Sequence, residues 1–399
     1  MTADRLNPDP SEGSTTDGAL ASVRVLDLTD QRAIYGAKLL ADLGATVIRP
    51  EPSEGDPLRA RLPHTVSGES LYYANYASNR RSVTLDLTSE DGRAQLRQLA
   101  ATVDLILDTG TLETAAIDPQ SLLDEHPALV IVSISSFGPT GPWADYLTTD
   151  LVTGALGGLV ATTGDIDTQP LNTYGELNFG TTGAYAAIGA LAALNHARET
   201  NEGQLVELAA HEAVPSCLEH VLMWTWHNAD LPIATEDSLP RRGSLHWSDA
   251  YEVMTARDGS IMVTITPDPA KQLTWLIEEG VQQDLLDPQY GDPEKPRPMM
   301  MRMMQVLRDW VATQNVEDFF FESQARHYPY GWVLSPDRAA ASPQLEARGW
   351  WADHHIEGAT VRGPGAPYHL EGTPIPTTRT IEAPGASTAD ILAEIGWTD

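Results

Sequence analysis

Val23-Arg24-Val25-Leu26-Asp27-Leu28 reads as a buried strand. After the polar turn Thr29-Asp30-Gln31-Arg32, apolar residues recur at helical spacing from Ala33 to Leu43, Gly44 stops that helix, and Ala45-Thr46-Val47-Ile48 forms a second strand. Two buried strands joined by a helix make a βαβ unit, because parallel strands need such a crossover. The theme repeats downstream. Ser82 to Leu87 reads as a strand, Ser89 to Ala101 as a helix capped by Ser89, and Val103 to Leu107 and Ala128 to Ser133 as further strands. Alternation of this kind predicts an α/β domain with a parallel sheet.

Beyond Ser136 the sequence becomes rich in glycine and small residues, ending in a helix from Gly183 to His196 that is apolar on almost every side and is therefore expected to be buried. Residues 224–330 read as a smaller α+β domain. Its clearest feature is a hairpin, Asp249 to Thr255 and Gly259 to Thr266, turning through Arg257-Asp258-Gly259. The expected organisation is a disordered tail over 1–20, a large domain over 21–223, the small domain over 224–330, and a segment over 331–399 that returns to the large domain and ends in a helix from Thr388 to Ile395.

The chain has 399 residues, and 56 Asp and Glu against 25 Lys and Arg leave a formal charge of −31. No dense basic stretch stands out, so nucleic acid is excluded as a partner, and the acidic surface disfavours anionic membranes. No h-region and no run of 18 apolar residues is present, so neither a signal peptide nor a membrane span is expected. Cys217 is the only cysteine, which rules out a disulfide within the chain and any CxxC site, and fits a reducing cytoplasm. Lysine occurs only at positions 38, 271 and 295, which disfavours Schiff-base chemistry.

The first βα turn carries no glycine, so a nicotinamide dinucleotide site is not expected, and Lys38 has no Walker sequence around it. None of the histidines (His354-His355, His220 with His227, His211 beside Glu212) has a metal-ligand spacing, and no metal is expected. Met299, Met300, Met301, Met303 and Met304 read as packing residues, and Trp224-Thr225-Trp226 and Trp350-Trp351 as core or interface aromatics. Ser133-Ile134-Ser135-Ser136-Phe137-Gly138-Pro139-Thr140-Gly141-Pro142 is a rigid loop at the carboxyl end of a parallel strand, where open α/β sheets place ligands.

Taken together, Arg24 to Leu28, Leu39 to Arg49 with Glu51 and Gly55-Asp56-Pro57-Leu58-Arg59, Asn79 to Leu87, Ser133 to Pro142, Ala186 to Leu194 with Gly203 to Glu207, and Pro343 to Gly349 resemble the class III CoA-transferase family (CaiB/BaiF). That family includes formyl-CoA transferase, carnitine CoA-transferase and α-methylacyl-CoA racemase. The resemblance implies a Rossmann-like large domain with a smaller domain, and two chains threaded through one another as an interlocked dimer. It also implies coenzyme A or acyl-CoA as substrate, with a carboxylic acid as the second reactant. Arg49, Asn79, Arg80, Arg81, Phe137 and Gly138 fall in the matching blocks and, with Arg32 of the first βα turn, are the candidate coenzyme contacts.

In the transferases a carboxylate just before the long helix attacks the thioester. The matching segment here is Tyr174-Gly175-Glu176-Leu177-Asn178, which places Asn178 at that Asp, and an amide cannot serve as acyl acceptor. Glu176 is a candidate displaced nucleophile. The racemase branch adds a His, where Thr149 stands here, and Asp108-Thr109-Gly110-Thr111 replaces a segment that usually carries an Arg. Three readings are open: the subunit of a heteromeric transferase whose homologous partner carries the Asp; a stand-alone enzyme using Glu176, or Asn178 as an oxyanion donor; and a non-catalytic binding or scaffold homologue. The aromatic residues Trp224, Trp226, Trp247 and Tyr251 are candidates to line a pocket for a bulky acyl group, or else core.

Overall fold

A computed structural model describes residues 18–164, 169–218, 221–223, 226, 251–264, 268–292, 296–356 and 359–397. The chain forms two compact units. The larger draws on Met1–Gly157, Tyr174–Cys217 and Gln344–Asp399, and the smaller on Gly158–Thr173 and Leu218–Pro343.

In the larger unit, in chain order, β1 (Arg24–Leu28), α1 (Ile34–Asp42), β2 (Thr46–Glu51), α2 (Leu71–Tyr76), β3 (Arg80–Thr84), α3 (Glu90–Ala100), β4 (Leu105–Asp108), α4 (Thr111–Thr114), α5 (Pro119–Glu125), β5 (Val130–Ser135) and α6 (Asp150–Leu156) are followed by α7 (Leu159–Thr162) of the smaller unit. The larger unit resumes with α8 (Leu177–Thr200), β6 (Gln204–Ala209) and α9 (Ala210–Ala213). The six strands form one parallel sheet in the order β3-β2-β1-β4-β5-β6. This is the Rossmann-like order, whose direction reverses between β1 and β4. Alternate residues of each strand feed two cores. Val25, Leu105, Leu107, Val130 and Val132 pack with α1 and α8, while Leu26, Ile106, Ile131 and Ile48 pack with α3 and the C-terminal helix. Ser89 caps α3 as its sequence predicts, its Oγ accepting from the Gly92 N–H at 2.9 Å.

Two boundaries differ from the sequence reading, and both matter for the site. β2 runs on to Glu51 and β3 starts at Arg80, two residues before the predicted start, so Arg49 and Arg80 lie inside strands. α8 begins at Leu177, six residues early, and is not buried all round. Asn178, Thr182, Ala186, Ala190 and Ala193 lie on its buried stripe, whereas Leu177 and Ile188 are 59% and 62% exposed. The helix is long and apolar enough to cross a membrane by length and composition, but its buried stripe is the larger unit's core.

The smaller unit contains the expected hairpin. β7 (Tyr251–Thr255) pairs antiparallel with β8 (Ser260–Thr264), with the Ala256 N–H donating to Gly259 O across the turn at 2.8 Å. Three helices follow: α10 (Pro269–Glu278), α11 (Pro296–Val311) and α12 (Val316–Ala325). β9 (Gly331–Trp332) then joins β8, which keeps residues 331–343 with this unit. Met303 and Met304 are core residues here, as is Trp275, stacked on Phe319 and Tyr328. Trp224, Trp247 and the outer ends of the predicted hairpin lie outside the described residues. The returning segment supplies β10 (Ala352–Ile356), β11 (Ala359–Gly363), β12 (Thr378–Thr380) and α13 (Thr388–Glu394).

Candidate active site

The N-terminus of α8 packs against α6. Asn178 is 2% exposed, and its Nδ2 donates both to Asp150 Oδ2 at 2.8 Å and to the Asp150 carbonyl at 3.1 Å. The other oxygen of Asp150 accepts the Phe179 N–H at 2.9 Å. Asp150 thus does for α8 what a capping side chain normally does, taking up an amide that the first turn leaves unpaired, and its charge sits at the positive end of the helix. With both Nδ2 protons committed to Asp150, the Asn178 carboxamide has no donor left for an oxyanion. Thr149 caps α6, its Oγ1 accepting from Val152 N–H at 3.3 Å. Asp150 is the residue sequence reasoning passed over. The signal was a Thr-Asp pair opening a helix, a first-turn carboxylate whose partner lies 28 residues downstream.

Gly154 makes the contact possible. A Cβ there would stand 2.8 Å from Asn178 Nδ2. Gly154→Ala is therefore expected to push the amide off Asp150 and destabilise the fold by about 1–3 kcal/mol, measured as a lower urea midpoint at unchanged slope.

Glu176 is the N-cap residue of α8 and Asn178 its second helical residue, so their side chains diverge around the axis. Glu176 Oε1 pairs with Arg61 Nη2 at 2.8 Å, and Oε2 accepts the Tyr72 hydroxyl at 2.9 Å. Arg61 lies over the Tyr72 ring, 4.2 Å from its centroid. Burial and the Glu176 charge raise the Tyr72 phenol well above its usual value, which keeps it a hydrogen-bond donor to the carboxylate. The Glu176 carboxylate is therefore held in place by a cation and a phenol, on a different wall from Asn178.

The coenzyme candidates separate into three groups. Arg49 and Arg80 are each 4% exposed and already neutralised. Both reach Asp27 Oδ2, at 2.9 and 2.7 Å, and Arg49 also pairs with Asp56 at 2.5 Å. These two cations are engaged in the interior, as their places inside β2 and β3 require, and Arg49 also lines the cavity described next. Neighbouring residues of a strand face opposite ways, so Arg81 points out instead, pairing with Glu394 at 2.7 Å. Asn79, in the left-handed region at φ 58°, ties the chain just before β3 to the end of β12, its Oδ1 accepting the Thr380 N–H at 3.0 Å. Arg32 stands at the carboxyl ends of the strands. It forks onto Asp30 and donates to the Thr109 carbonyl at 2.5 Å, tying the first βα turn to the end of β4.

Beside Arg32 opens a cavity of about 750 Å³ at the carboxyl ends of β1, β2 and β4, lined by residues that include Thr29, Gln31, Pro52, Glu54, Leu87 and Thr111. This is the switch point where an open parallel sheet places its ligand. On its rim Asp108 accepts the backbone N–H groups of Gly110, Thr111 and Leu112, and burial raises its pKa against those bonds. Phe137 and Gly138 lie after β5. Gly138 has φ 92° and donates to Ser135 Oγ at 2.8 Å, while Phe137 is buried against Trp143, Tyr146 and His211. Among the described residues no group of three or more His, Cys, Asp or Glu is placed to hold a metal ion.

Comparison with known proteins agrees with this fold. Formyl-CoA:oxalate CoA-transferase of Streptomyces avermitilis is 30% identical over 376 residues, covering 90% of this chain and 91% of the relative. The BbsE subunit of succinyl-CoA:(R)-benzylsuccinate CoA-transferase from Thauera aromatica is 29% identical over 395 residues, covering 94% of this chain and 93% of the relative. A crystal structure of a CaiB/BaiF family protein from Brucella suis shares the fold with a TM-score of 0.81 at 24% identity, covering 95% of this chain and all of that one. The profile of CoA-transferase family III matches residues 20–387, and with the sheet order and the cavity at its switch point this chain belongs to that family of CoA-transferring enzymes.

Proposed function

We propose that this chain is the subunit without the nucleophile in a heteromeric acyl-CoA transferase, paired with a homologous chain that carries Asp at the position of Asn178. The observation that carries the reading is the Asn178 carboxamide, buried and with both Nδ2 protons bonded to Asp150. In the pair, the partner's carboxylate attacks the thioester and releases CoA thiolate. The thiolate then attacks the enzyme-side carbonyl of the resulting anhydride, freeing the first acid, and the second acid takes CoA by the reverse steps. The relative from Thauera is itself named as a subunit. The apolar face of α8 with Leu177 and Ile188 exposed is suited to covering by another chain, whether a second copy or the homologue. Coenzyme A is assigned to the cavity at the switch point, which Arg49 lines and Arg32 adjoins, with the Phe137-Gly138 loop beyond.

A stand-alone enzyme is the second reading, favoured by one observation: Glu176 is a partly exposed carboxylate fixed by Arg61 and Tyr72. One experiment separates the two. The chain is incubated alone with acyl-CoA and hydroxylamine, and again with a co-expressed Asp-bearing homologue, and the hydroxamate left on the nucleophilic carboxyl is sought by peptide mass spectrometry. A hydroxamate confined to the homologue, with CoA exchange only in the mixed sample and unaltered by Glu176→Gln, supports the heteromer. Exchange by the isolated chain that Glu176→Gln abolishes establishes the second reading instead.

A further inference from the structure

Arg59 and Arg61 lie over two neighbouring tyrosines of α2, and each faces a glutamate, but the two carboxylates are held very differently. Arg59 is 4.2 Å from the Tyr73 ring centroid and forks onto Glu51, with both bonds at 2.7 Å. Glu51 is 1% exposed and also accepts the Ser82 and Tyr73 hydroxyls and the Asp56 N–H, so that carboxylate is built into the fold. Arg61 lies over Tyr72 in the same way, yet Glu176 accepts only its Nη2 and the Tyr72 hydroxyl among the described residues. The Arg61 and Glu176 side chains are 35% and 23% exposed. An ion pair this open shifts an equilibrium by about fivefold at most. Glu176 makes no capping bond to α8 either, because Asp150 takes the Phe179 amide. The fold leans little on this carboxylate.

The receiving groups, in contrast, are positioned without it. Ser70 Oγ, the cap of α2, accepts the Tyr73 N–H at 3.1 Å and donates to the Arg61 carbonyl at 2.5 Å, which ties Arg61 to the helix that carries Tyr72. The Tyr72 ring in turn leans on Tyr76, with centroids 4.7 Å apart. Guanidinium and phenol therefore converge on one carboxylate, a donor to each oxygen, whichever molecule supplies it.

We propose that Arg61 and Tyr72 form a seat for the distal carboxylate of a dicarboxylic acyl group, and that Glu176 occupies this seat until such a ligand enters. The inference rests on this chain binding CoA esters, and it adds the class of acid. Glu176 and Asn178 share the first turn of α8, which puts the seat beside the position that relatives give to the nucleophile. The exchange replaces one carboxylate by another, so the guanidinium is never left unpaired, and the displaced Glu176 passes into water.

The test measures binding to the full chain, by calorimetry, of CoA and of two thioethers that cannot be turned over, S-(3-carboxypropyl)-CoA and S-butyl-CoA. The thioethers differ only by a carboxylate in place of a methyl. The natural chain is expected to prefer the carboxylate about threefold, a preference reduced by the fraction of time that Glu176 fills the seat. Glu176→Ala leaves the seat open and is expected to raise the preference about fivefold further. Adding Arg61→Met to Glu176→Ala is expected to return it to about one. Equal affinity for the two thioethers with no gain in Glu176→Ala overturns the proposal while leaving CoA binding intact. So does a preference that survives Arg61→Met in the Glu176→Ala chain. Failure to bind CoA or either thioether removes the coenzyme assignment and the proposal with it. Should a variant not fold, the preference of the natural chain decides alone.

Discussion

Asp27→Asn is expected to destabilise the larger unit by about 3–5 kcal/mol, the range for removing one member of a buried ion cluster. Asp27 is 1% exposed and accepts from Thr29 N–H and Oγ1 while facing Arg49 and Arg80. Arg49 retains Asp56, but Arg80 loses its carboxylate and keeps only backbone carbonyls of Tyr76 and Ile34. Burial alone would raise the Asp27 pKa, and the two guanidinium groups overcome it and hold the carboxyl below its usual value. The folded value lies below the unfolded one, so this stabilisation is present above about pH 4 and fades as pH falls through the folded value. Urea midpoints of the natural chain and the variant should therefore converge in strong acid. A loss under about 1 kcal/mol at pH 7 would mean that the cluster is not what holds β1, β2 and β3 together.

Asn178→Asp is expected to lower stability by about 1–4 kcal/mol above neutrality, because it sets a second carboxylate against Asp150 where an N–H now bridges at 2.8 Å. Two such groups cannot both ionise, so one keeps a proton that the unfolded chain gives up. A folded pKa raised above the unfolded one means the penalty is absent below about pH 4 and grows as pH rises through the raised value. The exchange Asn178→Asp with Asp150→Asn restores one acid and one amide, and should recover most of the loss. In that double variant the pair's only carboxylate stands at 178, and with acyl-CoA and hydroxylamine it is expected to give a hydroxamate there. An Asn178→Asp chain as stable as the natural one at pH 8 would contradict the geometry of the Asp150 contact.

The sheet was legible because its strands and helices alternate with different periods and Gly44 marks where one helix ends. The site was legible only in part. Arg49 and Arg80 look like free cations in a line of sequence, since nothing local reveals that β3 begins at Arg80 or that Asp27, on another strand, lies within reach of both. Strand ends are set by pairing with neighbours, as Val47 opposite Arg80 shows, and the face a side chain occupies changes with each one-residue shift. Asn178 was legible as a chemical deficit, but its engagement with Asp150 depends on how α6 crosses α8, which the close approach at Gly154 permits. Glu176 and Asn178 were separated by a matter of helix phase, once α8 proved to begin at Leu177.

The outer rim of β3 is finished by residues that come some three hundred positions later. Ser82 N–H donates to Glu382, Gly385 N–H to Ser82 Oγ, and Ser387 N–H to the Ser82 carbonyl, while Thr84 N–H reaches Thr388 Oγ1. During synthesis, then, the nascent sheet leaves the ribosome with one border open, and it stays open while the whole smaller unit is being made. A translation product stalled before Glu382 would display that unpaired border, and stickiness toward other strands should be greatest in just those unfinished chains.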